Sequence, residues 1–521
     1  MIGIGRMPHA AILLLAAATL EAAQYDVVVY GATAGGVVAA VAAAREGLRV
    51  AILEPGQRLG GMTSGGLGRT DHGVKATIGG YSLEFYKRVG KKYGEDITWY
   101  FEPHVAELVM REMADEAQVV VLYDHRLRED GGVKRKKGRI TEIVCENGEV
   151  FSAKIFMDAT YEGDLMVFAK TTYTVGREGT AQYGETLAGV RPKDRNHQFD
   201  FPISAHRDGP KTALLPEIQS EPSGTIGAPD KNVQAYNFRM CLTQNPNNRI
   251  PIPRPRAYNP DRFSLLARYI DGLAKQLTRP VVLSDIFIVS KLPNGKTDFN
   301  NRRAFSSDYI GGSWAYPDAN YAARAAIWQA HIDYTAGLFY FLAHDDRVPK
   351  ALRAEAASWG LAADEFAATN HWPSQLYVRE ARRMVGDFVM TQRDIQDQLT
   401  KPDAIGMGSY NSDSHNVQRF AQSDGTVQNE GNMEVPVKPY QIPYRVLLPK
   451  KKQATNLLVP VCVSSSHVAY STLRMEPVYM IMGHAAGVAA KLAIDKGVAV
   501  QDIDTKALAE RLANQGVVTE I

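Results

Sequence analysis

The chain has 521 residues, 45% hydrophobic and 22% charged, which is the make-up of a globular protein large enough for two or three ordinary cores. Lysine plus arginine total 59 against 57 acidic residues, and the balance of +2, with no basic run beyond Lys134 to Lys137, offers no field for a polyanion. No nucleic-acid partner is expected. Three cysteines far apart in sequence (Cys145, Cys241, Cys462) lack the close pairs of a structural zinc site or a redox dithiol and read as buried thiols. No metal site is expected.

In chain order, residues 1–23 come first: one arginine, an apolar run from Ala10 to Leu20, then small residues at Ala22 and Ala23. This is the plan of a signal peptide cleaved near Ala23, so the protein is expected to be exported, to the periplasm or beyond; a single arginine gives no twin-arginine signal. No later segment reads as a membrane span of about 20 apolar residues. "DVVVY" is then a continuous apolar strand, Val37, Val38, Val41 and Ala44 recur at helical spacing, and "RVAIL" after Gly47 is a second strand. Together they make a βαβ unit. "GRITEIVCENGEVFSAKIFMDAT" alternates like an antiparallel hairpin turning at Glu146-Asn147-Gly148 and runs into an apolar strand ending at Asp158.

From about Arg191 to Pro260 periodicity is lost and an irregular cap is expected, followed by helices over 322–343 and 351–368. Near the end, "NLLVPVCVS" reads as a buried strand and "PVYMIMGHAAGVAAKLAIDKG" as a helix with proline at its start and glycine past its end. The α/β character of both chain ends predicts a doubly wound, Rossmann-like domain assembled from residues 24–190 and 436–521. Residues 191–435 would be an inserted α+β substrate or cap domain.

The turn after the first strand carries the chemistry. Gly31 reverses the chain and Gly36 lets the helix pack on the strand, but the middle glycine of the dinucleotide fingerprint is replaced by Thr33. Thr33 still presents its N–H at a helix start, where donors and dipole favour phosphate. Glu54 ends the second strand where a carboxylate accepts from both ribose hydroxyls and repels a 2′-phosphate, which disfavours NADP and leaves NAD or FAD. The glycine-dense loop that follows (Gly60, Gly61, Gly65, Gly66, Gly68) selects FAD, because it lets backbone run along an extended cofactor.

These stretches, with "RLGGMTSGGLG", "MDATYEGDLM", "REARRMVGDFVMT", "GSYNSDSHNVQRF" and "SSSHVAYSTLRMEPVYMIMGHAAGVAA", resemble the FAD-dependent oxidoreductase family, some members of which are labelled xanthan lyase. The resemblance covers nearly the whole mature sequence and implies a glutathione-reductase-like FAD fold. It implies that Gly31, Thr33 and Gly36 cradle the pyrophosphate, that Glu54 holds the adenosine ribose, and that Gly60, Gly61, Met62 and Thr63 lie along the ribityl chain and isoalloxazine. Ala159, Thr160 and Asp164 would return to the cofactor, with Tyr161 where a glycine often stands. Arg474 and Met475 would meet the flavin at the start of the last long helix, whose dipole favours a reduced, anionic ring. Gly483, Ala486 and Gly487 read as close packing of that helix on the sheet.

Flavin chemistry needs a base and groups that orient substrate. His467 and His415 sit in polar, loop-like surroundings, His467 nearer in sequence to the flavin-facing helix, and Asp413 stands two residues before His415 to orient an imidazole or accept from a substrate hydroxyl. Tyr410 on the same segment and Asn300, with Asp298 and Asn301, are candidate substrate contacts. Arg379, Arg382 and Arg383 read as a helix-like cluster that either clamps a carboxylate or polyhydroxy substrate or pairs with Glu380 and Asp387. His72 lies near the flavin loop, but noncovalent FAD is expected. Ser464 to Ser466 lack the Gly-x-Ser-x-Gly elbow of a hydrolase. The expected activity is dehydrogenation of a C–OH or C–N bond of a small polar or sugar-like molecule by hydride transfer to flavin, with a lyase or hydrolase acting on a glycan as the alternative.

Overall fold

A computed structural model of the chain describes residues 23–209 and 212–521, so the expected leader lies outside the described residues except for Ala23. The first strand, β1 (Ala23–Tyr30), leads through a tight turn into α1 (Ala34–Arg45) and β2 (Val50–Leu53), the expected βαβ unit. β1 pairs in parallel with β2 on one side, Tyr30 opposite Leu53. β3 (Val120–Leu122) lies outside β2, also parallel. The hairpin expected around Asn147 is formed by β5 (Arg139–Val144) and β6 (Val150–Asp158), with β4 (Val133–Lys136) outside it. β6 continues past its hairpin partner to lie parallel to β1, Asp158 opposite Tyr30.

The two chain ends meet in this sheet and its covering helices. Leu457–Leu458 pairs in parallel with Phe156 and Met157 of β6. The helix Glu476–Lys496 crosses α1 so closely that a Cβ added to Gly483 would lie 2.1 Å from the carbonyl oxygen of Gly35, and one at Gly487 2.5 Å from that of Ala39. These glycines are therefore helix-packing devices, but the surface they lie against is α1, where the sheet was expected. This helix corrects one sequence expectation. It is long and apolar enough to cross a membrane, yet 89% of its most apolar window is buried inside the protein. Its apolar surface is spent on α1 and the sheet.

A five-stranded sheet occupies the middle of the chain, in the order Phe287–Lys291, Lys296–Asn301, Met240–Thr243, Gly360–Ala362, Arg249–Ile250, with every neighbouring pair antiparallel. Two expectations change here. Met240–Thr243, inside the stretch expected to be irregular, is the central strand of this sheet, fully buried, because four residues are too few to show a period between polar neighbours. The helix expected over 351–368 stops at Ala357, and Gly360–Ala362 turns into a strand. Gly360 fits there because a Cβ would lie 2.4 Å from the Ile250 carbonyl oxygen. The helix Tyr321–His344 forms as expected, capped by the Asn320 side chain, which accepts from Ala323 N. All three cysteines are buried and free, in line with their reading as small apolar residues.

The α1 crossing gives a direct test. Gly483→Ala should force the two helices apart and cost about 1–3 kcal/mol, the usual size of an overpacking penalty. Thermal denaturation of the variant should show a lower Tm, whereas unchanged melting would mean that the contact is slack.

Candidate functional site

Three parallel strands end together at Tyr30, Leu53 and Asp158, and a cleft of about 410 Å³ opens outside them, where an open α/β sheet binds its ligand. Its sheet-side wall includes Gly31, Thr33, Glu54, Thr160, Tyr161 and Asp164, all singled out in the sequence. Gly31 has φ +95°, and a Cβ there would lie 2.7 Å from Thr160 Cγ2; a Cβ on Gly36 would lie 2.1 Å from the Gly31 carbonyl oxygen. Both glycines are therefore required by the turn itself.

Thr33 has two tasks that glycine could not perform. Its Oγ1 accepts from Gly36 N (3.1 Å) as the cap of α1 and donates to the Ala159 carbonyl (2.7 Å), tying the turn to the end of β6. Val37 N makes the first intrahelical bond, to Thr33 O, so the amides of Ala34 and Gly35 are the ones left at the helix start for an anion. Glu54 accepts from Ala32 N and Gly56 N, one per carboxylate oxygen, both at 2.7 Å. Burial outweighs these amide bonds and pushes its pKa up to about 7. Each oxygen keeps a lone pair for a ribose hydroxyl. A turn without room for Cβ atoms, helix-start amides and a carboxylate wanting donors together fit a dinucleotide.

Several expected cofactor residues work through one another. Met62 N donates to the Tyr161 hydroxyl (2.9 Å), while Glu476 accepts from that hydroxyl (2.7 Å) and from Thr63 Oγ1 (3.0 Å). Tyr161 thus binds the glycine loop to the start of the helix Glu476–Lys496, and Gly61 is needed because a Cβ would lie 2.5 Å from its hydroxyl. Gly60 returns its N–H to Ala32 O, beside Thr33. Met475 is the buried N-cap of that helix. Burial pushes Glu476 up to about 7. Thr160 is turned inward, donating to Asp158. The two oxygens of Asp164 are committed to Arg324 and Arg382 (2.7 Å each). Arg324 and Arg126, on the cleft wall, were not found in the sequence. Arg324 lies in the first turn of an alanine-rich helix, and a buried arginine in such a helix is a signal that its apolar periodicity masks.

A second, smaller cavity of about 190 Å³ joins Asn300, Tyr410, Asp413, His415 and Arg474, five residues from three separate stretches of the sequence. His415 Nδ1 lies 2.6 Å from Asp308 Oδ2, and its Nε2 faces Asp413 Oδ1 at 3.6 Å. Burial tends to raise Asp308, but Arg379 (3.1 Å) and His415 overcome it and hold the carboxylate at about 2. Burial, with the charge of Arg379, lowers His415 below the ordinary imidazole value. The pair is thus a carboxylate and a neutral imidazole. Asp308 was missed because it stands in "FSSDYIGG", where nothing ties it to His415 before the chain folds. Arg474, 2% exposed, donates to the Asp413 carbonyl (2.7 Å) and to the Tyr377 hydroxyl (3.2 Å), so it is no surface ion pair. The Tyr410 hydroxyl donates to Asp71 (3.2 Å), and Asn300 accepts from Asn237 (3.3 Å).

His467 is elsewhere. It is 3% exposed, its Nδ1 lies 2.8 Å from Glu380, its N–H donates to Glu178, and it lines neither cavity. The arginine cluster is also corrected. Arg382–Met384 is a strand paired with Tyr173–Val175, with no helix, and all three arginines are buried and paired: Arg379 with Asp308, Arg382 with Asp164 and Asp318, Arg383 with Glu178 and Glu380. The Glu380 pairing was expected, and the pairing with Asp387 does not occur. Extended backbone suits residues that send alternate side chains to opposite charged neighbours. His72 turns its Nδ1 to the Gly73 carbonyl and its ring toward Trp99.

The family model described as FAD dependent oxidoreductase matches residues 26–512. No curated protein matches the sequence. Among solved structures, the chain is similar to L-proline dehydrogenase from P. horikoshii (15% identity, TM-score 0.24), with 30% of this chain and 59% of that one covered. It is also similar to THI4 from Thermovibrio ammonificans (22% identity, TM-score 0.23, 30% and 66% covered) and to L-amino acid deaminase from Proteus vulgaris (19% identity, TM-score 0.22, 30% and 53% covered). The chain thus spans under two thirds of the length of each of these three.

The ionisation of Glu54 gives a test of the cleft. Charge-assisted bonds to ribose need the carboxylate, so FAD affinity should rise with pH through about 7 and fall below it. Titration of the apoprotein with FAD, followed by flavin fluorescence, should show this slope in the wild type and lose it in Glu54→Gln.

Proposed function

The chain belongs to the FAD-dependent oxidoreductase family, with FAD as its cofactor, and from that premise we propose that it dehydrogenates a C–OH or C–N bond of a small polar substrate held in the cavity at His415. The observation that carries this reading is the buried Asp308–His415 pair opening onto a polar cavity beside the glycine loop. When bound, FAD supplies the two-electron acceptor. The protein supplies proton handling and orientation. Asp308, ionised under Arg379, accepts from Nδ1–H and so leaves the lone pair on Nε2, the nitrogen that faces Asp413. A substrate O–H or N–H between Nε2 and Asp413 would give its proton to the imidazole. Tyr410 and Asn300 are the substrate-orienting groups, while Arg379 is a positioning residue behind the base.

The glycine loop is joined to the five-stranded sheet through Asp298. This carboxylate accepts from Gly68 N (3.1 Å) and Arg69 N (3.0 Å) and is bridged by Arg239. That junction supports the reading of the inserted segment, 191–435, as a substrate cap. We also read residues 1–23 as an export leader, which N-terminal sequencing of the mature protein from the periplasm or medium would test; mature protein that retains Met1 would refute it.

Under anaerobic stopped flow, His415→Ala should slow substrate-driven bleaching of the flavin by about 10²- to 10⁴-fold with FAD retained, and Asp308→Asn should follow it. Because His415 lies below the ordinary imidazole value, the acid limb of the wild-type profile should fall below that of free imidazole: the base is lost only as pH drops through the lowered pKa. His467→Ala should act differently, lowering Tm by removing one of the partners of buried Glu380 while sparing the reduction rate. Turnover of a substrate without any bleaching would instead support the lyase reading.

A further inference from the structure

The lining of the small cavity carries three arginines and three carboxylates, and most of these charges are spent on one another or on neighbours. Arg239 is bidentate on Asp298, Arg474 pairs with Asp413, and Glu434 lies 3.0 Å from His197 Nε2. Two are different. The guanidinium of Arg69 has Ser290 Oγ, at 3.4 Å, and the Tyr100 ring, whose centre lies 6.0 Å from its Cζ, while among the described residues the Asp71 carboxylate accepts only from the Tyr410 hydroxyl, at 3.2 Å. Among the described residues neither forms an ion pair, either with the other or with a third group. Both are half-buried, and they stand two residues apart, the spacing that puts extended side chains on one face.

We infer that Arg69 and Asp71 form a zwitterion-binding pair and that the substrate is an α-amino acid, its carboxylate held by Arg69 and its ammonium by Asp71. Half-buried charges of opposite sign that form no ion pair are costly, and a ligand carrying both charges relieves both at once. A sugar leaves both unpaired, a dianion meets Asp71 and Asp413, and a simple amine leaves Arg69 alone. The volume agrees: about 190 Å³ is roughly the space of six waters, which suits an amino acid with a small side chain.

The chemistry that follows binding rests on the dehydrogenase reading. FAD, when bound, would supply the two-electron acceptor for the hydrogen that leaves Cα with its bonding pair. The ammonium gives one proton to His415 Nε2, and a C=N bond replaces C–N, leaving an iminium.

Binding can be tested without turnover. α-Aminoisobutyrate has no α-hydrogen to lose, so isothermal titration of the holoenzyme with it measures recognition alone, against isobutyrate and isopropylamine as its two halves. It should bind at least about tenfold tighter than either half. Arg69→Ala should weaken α-aminoisobutyrate and isobutyrate by about tenfold or more while sparing isopropylamine. The isosteric Asp71→Asn should do the reverse. Equal affinity for all three probes, no binding of any, or a full-affinity complex in both variants overturns the inference. If the probe binds as expected but alanine and other amino acids leave the flavin oxidised without oxygen, the site stands and the dehydrogenase reading falls. If hydroxy acids bleach the flavin as well as amino acids do, the dehydrogenase reading stands and the zwitterion site falls.

Discussion

The close crossing of α1 and the helix Glu476–Lys496 sets the rest of the structure. Because Gly483 and Gly487 have no side chains, the later helix lies almost against the backbone of α1, and its first turn reaches the glycine loop that follows β2. Glu476 then meets Thr63 and Tyr161, and Arg474, two residues earlier, meets the wall of the small cavity. A wider crossing would carry both residues away from the glycine loop. The dinucleotide turn, the loop and the start of the last long helix are one rigid unit, held by backbone contact more than by side-chain recognition.

A second constraint is electrical. The protein buries Arg379, Arg383 and Arg419 almost completely, and burying a guanidinium demands acceptors arranged around it. For Arg383 these are Glu178, Glu380 and two backbone carbonyls; for Arg379, Asp308, Asn237 and the Ala235 carbonyl. One such arrangement has a by-product: burial, joined by the cation that keeps Asp308 ionised, holds His415 below the ordinary imidazole value. The same physics explains Glu476. A carboxylate at a helix start is ordinarily favoured by the dipole, but full burial raises its pKa to about 7, so near neutrality it brings less than its full negative charge to that end of the helix.

Much of the dinucleotide half was legible in the sequence because its signals are local. Gly31, Thr33, Gly36 and Glu54 fall within one βαβ unit, and strand, turn and helix follow from apolar runs and glycines spaced a few residues apart. Thr33 had read as a tolerated departure, whereas its hydroxyl bonds both α1 and β6, a role visible only once Ala159 is beside it. The small cavity was legible by residue type and not by grouping. His415, Asp413, Tyr410, Asn300 and Arg474 were all named, but sequence proximity to the last helix favoured His467, which packing sends into a buried ionic cluster. Asp308, Arg69 and Asp71 escaped notice because partners more than a hundred residues away, or a cavity wall, give them meaning. The arginine-rich segment misled for a related reason: its charges suggest a solvated helix face, and the buried carboxylates that pull it into an extended form are scattered from residue 164 to 380.

The joining of the two chain ends also bears on the order of events during synthesis. Gly35 waits for Gly483, and β6 for Leu457–Leu458, across most of the polypeptide. At about 5–20 residues per second, a ribosome takes on the order of half a minute or more to deliver those partners, and until then α1 has an uncovered apolar face and the glycine loop lacks its contact with Glu476. The nucleotide turn is therefore among the earliest segments made and among the last to be finished. A nascent chain has to be shielded through that interval, and the cofactor's full binding site exists only after the final helices have left the ribosome.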